Sequence, residues 1–299
     1  MQEFPAAVPI LIRWKIHRRI KQCIRNWKPD IVVHTGKILS FQNTPQAAFF
    51  VNEAMLQAYP PEKSGQITKF FAASAFIQQQ LIYHHQVSVE NIRITPLAFN
   101  PLYKSISGEE KETIKFRYSK QAEYFLYNHR LVTDTEFIPL LKAFSIFKKR
   151  LQTGMKLLIP CNKSLIDKKC SSLLETYRFK EDILFTGEVT AEEMAGITAA
   201  AYAVIQIVPL QPSVQDQDLL QCAVPVLILQ PEEWIQPRDC YEYARASSPE
   251  EIAAKLMLLY KNESYRAHLI STSQQLLPQF SAEATSKTFH QALLHTVTE

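Results

Sequence analysis

The residues best placed to do chemistry lie in one segment, Gln215-Asp216-Gln217-Asp218-Leu219-Leu220-Gln221-Cys222-Ala223, which runs into Val224-Pro225-Val226-Leu227-Ile228. It reads as a short helix, a tight turn of small residues and a buried strand. That order puts the carboxylate of Asp218 at the start of a helix beside the carboxyl ends of parallel strands, with Asp216 just upstream. Open α/β sheets bind nucleotides at that edge. The plainer reading of Asp218 is an acid at a helix N-terminus. A nucleotide here would have to be held without a glycine cradle. The chain has only six glycines, Gly36, Gly65, Gly108, Gly154, Gly187 and Gly196, where ordinary usage (~7%) would give about twenty. There is no G-x-G-x-x-G or Walker-type loop, so side chains and helix N-termini must take the phosphates. No Cys/His/Asp cluster has metal-ligand spacing, and His84-His85, being adjacent, do not share a helix face. No metal is expected. No G-x-S-x-G elbow is present.

A second candidate is the stretch Arg13–Lys28, with seven Lys/Arg and no acid, and with Ile16, Ile20, Cys23, Ile24 and Trp27 on one stripe. A basic amphipathic helix can lie on anionic lipid. It can equally pack on a sheet and turn a solvated basic face outward.

The rest of the chain must position these groups. Its 299 residues suffice for two α/β domains, and 46% hydrophobic with 21% charged residues is the composition of a globular protein. The net charge of +4 gives no argument for nucleic acid. No apolar run is long enough for a transmembrane helix, and residues 5–12 are too short for a secretory h-region. Five dispersed cysteines point to reduced thiols and a cytoplasmic location. Strand patterns recur at Asp30–His34, Ala47–Val51, Lys69–Ser74, Asn91–Thr95, Glu123–Tyr127, Met155–Pro160, Asp182–Thr186, Tyr202–Val208, Val224–Leu229 and Tyr241–Arg245. Helical patterns fill the gaps, clearest at Glu136–Leu151, with Pro139 in its first turn, and at Ser248–Tyr260. Residues 263–277 and 281–297 read as two terminal helices. Such alternation means parallel sheets. The polar stretch around Leu102–Thr113 reads as a boundary between units 1–104 and 105–299.

Several segments, taken in order, resemble those of the GT-B glycosyltransferases of family-4 type. Lys28–His34 is similar to the family's "kPDvvH" strand, Phe71–Phe76 to its next strand and helix, and Ile94–Asn100 to the strand before the interdomain linker. Tyr124–Leu131 is similar to the "yiLyvGRl" strand that opens the nucleotide domain, and Asp182–Val189 and Met194–Ala203 to later pieces of it. Gln215–Ile228 resembles the "E-A-M-A-C-G-V-P-V-I" signature, with Asp218 in place of its last Glu. The resemblance implies an α/β, GT-B-like chain of two Rossmann-like parallel-sheet domains, the first incomplete. Residues 1–104 would be the partial acceptor-side domain. Residues 105–299 would bind the nucleotide sugar, with the last helix packing back on the first domain. It further implies transfer of a sugar with retention, a nucleotide-sugar substrate and no cofactor. Arg130 would be the catalytic cation on the diphosphate and Asp218 the ribose ligand, or Asp216 in a shifted register. Gln211, Thr133 and Thr135 would line the pocket.

The chain departs from the pattern where the family does its chemistry. Thr135 stands where the family has a phosphate-binding Lys, between Asp134 and Glu136. Thr133, Asp134 and Glu136 read most simply as a helix cap. The sugar-facing Glu falls on Leu210 or Gln211, and Gln211-Pro212-Ser213 replaces a glycine pair. The His of the first domain is lost at Phe50-Val51-Asn52. The "kPDvvH" match begins at residue 28, where the family has already placed three strands. Three readings follow: a transferase of bacterial-type glycan biosynthesis acting on an unidentified glycan or lipid acceptor; an inactive homologue that binds a nucleotide, a glycan, a protein partner or a second copy; and a subunit held by residues 13–28 at the inner face of a membrane.

Overall fold

Among the described residues, short runs rich in apolar and aromatic side chains form ten strands in two sheets, and every pairing there is parallel. The computed structural model describes residues 10–36, 41, 44–57, 59, 67–128, 134–207, 215–230 and 239–298. By contacts the chain divides into two units, Met1–Ala98 with Ala282–Glu299, and Phe99–Ser281.

The first unit begins with helix α1 (Ile10–Trp27), followed by β1 (Val32–His34), β2 (Gln46–Phe50), α2 (Glu53–Gln57), β3 (Lys69–Ala72), α3 (Ala75–His85) and β4 (Ile92–Ile94). The strands lie side by side in chain order, with Val33 opposite Ala47, Phe49 opposite Phe71 and Phe71 opposite Arg93. Phe50, Phe70, Ala72, Ile77 and Leu81 form the core under α3. Ser74 starts α3 by accepting from the Ile77 N–H, and Gln86 ends it in the left-handed region.

The second unit runs α4 (Gly108–Ser119), β5 (Tyr124–Tyr127), α5 (Asp134–Leu151), β6 (Lys156–Ile159), α6 (Lys168–Thr176), β7 (Ile183–Phe185), α7 (Ala191–Ala200), β8 (Ala203–Ile207) and α8 (Gln215–Asp218). A 3-10 turn (Leu219–Cys222), β9 (Val226–Gln230), β10 (Glu242–Arg245), α9 (Pro249–Lys261) and α10 (Glu263–Leu276) complete it. Its six strands are ordered β10-β9-β8-β5-β6-β7. The α5 stripe Phe137, Leu140, Leu141, Phe144 and Phe147 is fully buried against the sheet, where Phe147 meets Phe125 edge-on at 5.2 Å. The close approach of α7 to α4 uses Gly196, where a Cβ would stand 3.2 Å from Ile114 Cδ1. The last helix, α11 (Ala282–Thr298), belongs to the first unit, and its Phe289 packs on Phe49 and Phe71 at 5.5 and 4.9 Å.

Three local expectations change. The stretch around Leu102–Thr113 is not all linker: Ser107 and Glu110 form a reciprocal capping box that starts α4 at Gly108. Helix α5 starts at Asp134, which moves Pro139 from the first turn into the second. There it cannot donate to the carbonyl of Thr135 four residues back. Asp218 is both the last residue of α8 and the N-cap position of the 3-10 turn, where its side chain makes no cap hydrogen bond.

Candidate functional site

The strand order of the second unit locates the site before any side chain is considered. From β5 the chain builds outward through β6 and β7, then returns to the other side of β5 and builds through β8, β9 and β10. The connections therefore diverge between β5 and β8, at their carboxyl ends. A crevice opens at such a switch point, and open α/β sheets bind ligands there.

The switch point carries a polar pair that the sequence did not suggest. Asn128, just past β5, donates its backbone N–H to the Ile205 carbonyl at 2.9 Å. Its side-chain amide donates to Gln206 Oε1 at 2.6 Å, and Gln206, buried in β8, donates in turn to the Ile207 carbonyl. Two amides cross-linked at the divergence of the strands fix that edge of the sheet. These residues lie 78 positions apart, so no local spacing announces them.

In α8, the next described element after β8, Gln217 is buried and Asp218 half-buried. Asp218 Oδ1 accepts the backbone N–H of Asn100 at 2.8 Å, and Gln221 Nε2 donates to the Asn100 carbonyl at 3.0 Å. Both polar groups of one peptide residue are thus taken by side chains from α8 and the 3-10 turn. Burial pushes the Asp218 carboxyl above its ordinary value, and the Asn100 N–H offsets only part of that. Asp218 stands at the N-terminus of the 3-10 turn, as the plain reading has it, but its carboxylate caps no N–H of that turn and is turned to Asn100 instead. The buried Oε1 of Gln217 accepts no hydrogen bond among the described residues. Behind them the buried Cys222 thiol is pushed up to about 12 by burial, which excludes it as a nucleophile.

The N-terminus of α5 forms the other flank. Asp134 and Glu136 stand in its first turn and Thr135 is exposed between them. Lys169, from the start of α6, pairs with Asp134 at 2.7 Å. This salt bridge holds the Asp134 carboxyl below its ordinary value. A cation therefore reaches this helix end through the fold rather than from the position of Thr135. Arg130, Thr133 and Gln211 lie outside the described residues, as does the side chain of Asp216. In the first unit, Asn52 at the end of β2 accepts the Met55 N–H and caps α2. Among the described residues no group of three or more His, Cys, Asp or Glu is arranged to hold a metal, and the cysteines there form no disulfide. No helix among them is long and apolar enough to cross a membrane.

No protein-family model matches the chain, and no curated protein matches it. Solved structures do. A glycosyltransferase from Rickettsia africae ESF-5 superposes with a TM-score of 0.75 at 13% identity, over 99% of this chain and 84% of that one. Anabaena Alr3699/HepE, in complex with UDP and glucose, gives 0.73 at 12% identity over 94% and 82%. Sucrose-phosphate synthase (tll1590) from Thermosynechococcus elongatus gives 0.70 at 12% identity over 99% and 82%. At these identities the likeness is one of fold. The chain has the GT-B fold of two Rossmann-like parallel-sheet units, which it shares with glycosyltransferases among its structural neighbours and also with a UDP-N-acetylglucosamine 2-epimerase from Listeria monocytogenes.

Proposed function

We propose that the second unit binds a nucleotide sugar at the β5/β8 switch point and that the protein transfers the sugar to a glycan or lipid acceptor with retention. The observation that carries this reading is the pair of under-solvated polar groups on α8. The Asp218 carboxylate is desolvated and holds one described hydrogen bond, and the buried Gln217 Oε1 accepts none from the described residues. Groups of this kind are costly to leave dry and are stabilised when a ligand supplies donors. A ribose supplies two vicinal hydroxyls. The structural neighbour Alr3699/HepE binds UDP and glucose, which supports a uridine nucleotide as the first ligand to try.

In this reading Asp218 accepts from the ribose, with Asp216 as its neighbour on the same short helix. Arg130 meets the diphosphate, and Thr133, Thr135 and Gln211 line the pocket. The anomeric C–O bond to the diphosphate breaks, the acceptor oxygen bonds to the same carbon, and the acceptor proton leaves with the nucleoside diphosphate. The charge that grows on the leaving phosphate is what Arg130 stabilises. The N-terminus of α5 faces the same task, but the carboxylates of Asp134 and Glu136 oppose it there. No metal or cofactor enters this scheme, and the site operates on the cytoplasmic side.

A second reading is favoured by the end of β2. The position of the family's His is apolar in Phe50-Val51-Asn52, and the polar side chain there, Asn52, is used to cap α2, so the first unit offers no imidazole at that point. On this reading the chain is an inactive homologue that binds a nucleotide, a glycan or a partner subunit without turnover. One experiment orders the two. UDP, GDP, ADP and their sugars are titrated against the wild type, Arg130→Ala and Asp218→Ala, reading thermal shift and release of free sugar. A shift abolished by both substitutions, together with sugar release, supports the transferase. A shift without release supports the binding subunit. No shift with any nucleotide at millimolar concentration refutes the proposed site.

A further inference from the structure

The second unit has a cavity of about 350 Å³ at the edge of its sheet opposite the switch point. The residues that line it come just before β6 and β7, so they stand at the amino ends of those strands. Helix α5 brings its last turn there because it runs back across the sheet from Asp134 to Leu151, 18 residues or about 27 Å. Charge is distributed unevenly around the cavity. The buried Lys148 gives its ammonium protons to Asp182 at 2.8 Å, to the Met155 carbonyl at 3.1 Å and to the Thr153 carbonyl. Asp182 also receives Lys156, at 2.5 Å. The one carboxylate in the lining is thus matched by two cations, and Lys148 has no proton to spare. Lys149 and Arg178 are left over. Both are exposed, both line the cavity, and neither pairs with a carboxylate among the described residues. The place of Lys149 in the last turn of α5 accounts for one cation, as a complement to the helix dipole. It does not account for Arg178, which follows α6 and adds a second positive charge to a wall already in surplus.

The lining also has an aromatic part. The half-buried Phe179 lies under the Arg178 guanidinium, 5.5 Å from Cζ to the ring centroid, and meets Tyr177 edge-on at 6.1 Å. Stacking of this kind orients the guanidinium plane and leaves its N–H edge to a ligand. Gln152 adds a polar amide to the lining, on backbone at φ 48 that glycine would adopt at less cost. Two surplus cations, one a planar fork and one a point charge, select a dianion; a carboxylate would leave one of them unmatched. A phosphate monoester carries about −1.5 to −2 charge at neutral pH and offers three acceptor oxygens to such a pair. The volume lies at the low end for small-molecule sites, which suits a small organic part. We propose that this recess binds a small phosphate monoester, with its phosphate on Lys149 and Arg178 and its organic part against Phe179. The site is separate from the crevice at the carboxyl ends of β5 and β8, and it stands whether or not that crevice binds a nucleotide sugar.

The test uses the full chain and titrates phenyl phosphate, inorganic phosphate and, at matched ionic strength, sodium chloride, reading thermal shift and calorimetric affinity. The wild type is expected to gain Tm with phenyl phosphate, less with inorganic phosphate and not with chloride. Arg178→Ala is expected to weaken phenyl phosphate by about tenfold or more, the loss of one charge-assisted pair. Arg178→Lys, which keeps the charge without the fork, should recover part of that, and Lys149→Ala/Arg178→Ala should bind nothing. Neither side chain holds a carboxylate in the described fold, so these variants should melt with the wild type when no ligand is added. Phe179→Leu should narrow the preference for phenyl over inorganic phosphate. Arg130→Ala, which disables the proposed diphosphate contact in the other crevice, should bind phenyl phosphate like the wild type. Absence of any shift beyond the chloride control at millimolar phenyl phosphate overturns the proposal. So does binding that survives in Lys149→Ala/Arg178→Ala, or that is lost in Arg130→Ala instead, which would move the phosphate to the other crevice. A phosphoserine peptide bound through Lys149 and Arg178 where phenyl phosphate is not would assign the recess to a protein partner and also overturn it.

Discussion

Replacing Asp218 by Asn and by Ala separates what its carboxylate does for the fold from what it does for a ligand. In the free protein the carboxylate has one described task, accepting the Asn100 N–H at 2.8 Å, and it does so in a half-buried place that disfavours its charge. Asn keeps the acceptor and removes the charge; Ala removes both. With Ala the Asn100 N–H loses its partner, which costs about 1–3 kcal/mol when water cannot replace it. Asp218 is only half-buried, so the lower end applies, about 1 kcal/mol, or about 2–4 °C in Tm for a unit the size of Phe99–Ser281. The sign for Asn follows from linkage. An acid raised in the folded state contributes stability that is full below its unfolded value and is lost as pH rises through its folded value. The wild type should therefore match Asp218→Asn below pH 3.8 and fall behind it as pH rises above that value, after which the gap stays constant. At neutral pH the order of Tm is Asn at or above wild type, and wild type above Ala. The nucleotide-induced shift should follow a different order, wild type above Asn above Ala, because a carboxylate accepts from ribose hydroxyls more strongly than an amide. Thermal melts across pH, with and without UDP, supply both series. An Asn variant that melts below the Ala variant, or a gap between wild type and Asn that does not open as pH rises, would refute these two roles of the Asp218 carboxylate.

Other predictions concern the scaffold. Lys148 is buried, pairs with Asp182 at 2.8 Å and donates to the carbonyls of Thr153 and Met155; Lys148→Met should cost about 3 kcal/mol in urea unfolding at unchanged m, and a loss below about 1 kcal/mol would show that Lys156 alone satisfies Asp182. Burial raises the Asp182 carboxyl, but the hydrogen bonds from Lys148 and Lys156 outweigh it and hold it below 3.8. Its stabilisation is present above that pH and is lost as pH falls through the lower native value, so the acid limb of the wild type should be steeper than that of Asp182→Asn. Ala223 closes the 3-10 turn at φ 53; Ala223→Gly should relieve strain by more than it adds unfolded-state entropy, for a net gain of about 0.5–1 kcal/mol, and a loss in the same urea assay would show that the methyl packs productively.

The central strands were the most legible part of the chain because they are buried on both faces and so read as continuous apolar runs, such as Tyr124–Tyr127 or Val226–Leu229. The stripe of α5 was legible for the same reason at helical period. The polar parts were not. Ser105–Glu112 has the composition of a linker, and only the reciprocal Ser107/Glu110 spacing betrays the start of α4. Helix α6 is short and carries just two buried residues, Cys170 and Leu174, too few to set a period. The site was half legible. Asp218 stood out by its position before Val224–Leu229, but its partner Asn100 lies 118 residues away. The Asn128–Gln206 and Asp134–Lys169 pairs exist only once the sheet brings β5, β8 and α6 together.

The scarcity of glycine links the scaffold to the site. Six non-glycine residues among those described take positive φ: Lys28, Gln86, Lys120, Gln121, Gln152 and Ala223. Lys28, Gln86, Lys120 and Ala223 close helical segments, where glycine is the usual solution. Each left-handed residue of this kind costs roughly 1–2 kcal/mol, and the chain accepts that cost repeatedly. The same economy at the switch point puts Asn128 after β5, with its side chain bonded to Gln206, where a glycine would have left room for a phosphate to approach the backbone. A nucleotide bound here must therefore be recognised by side chains. That predicts a steeper dependence on Arg130 and Asp218 than in a glycine-cradled site, where backbone N–H groups would hold the phosphates after either side chain was removed. Residual UDP affinity in Arg130→Ala/Asp218→Ala is thus the sharpest reading of how the site works: its loss fits side-chain recognition, and its survival would mean that backbone donors still carry the ligand.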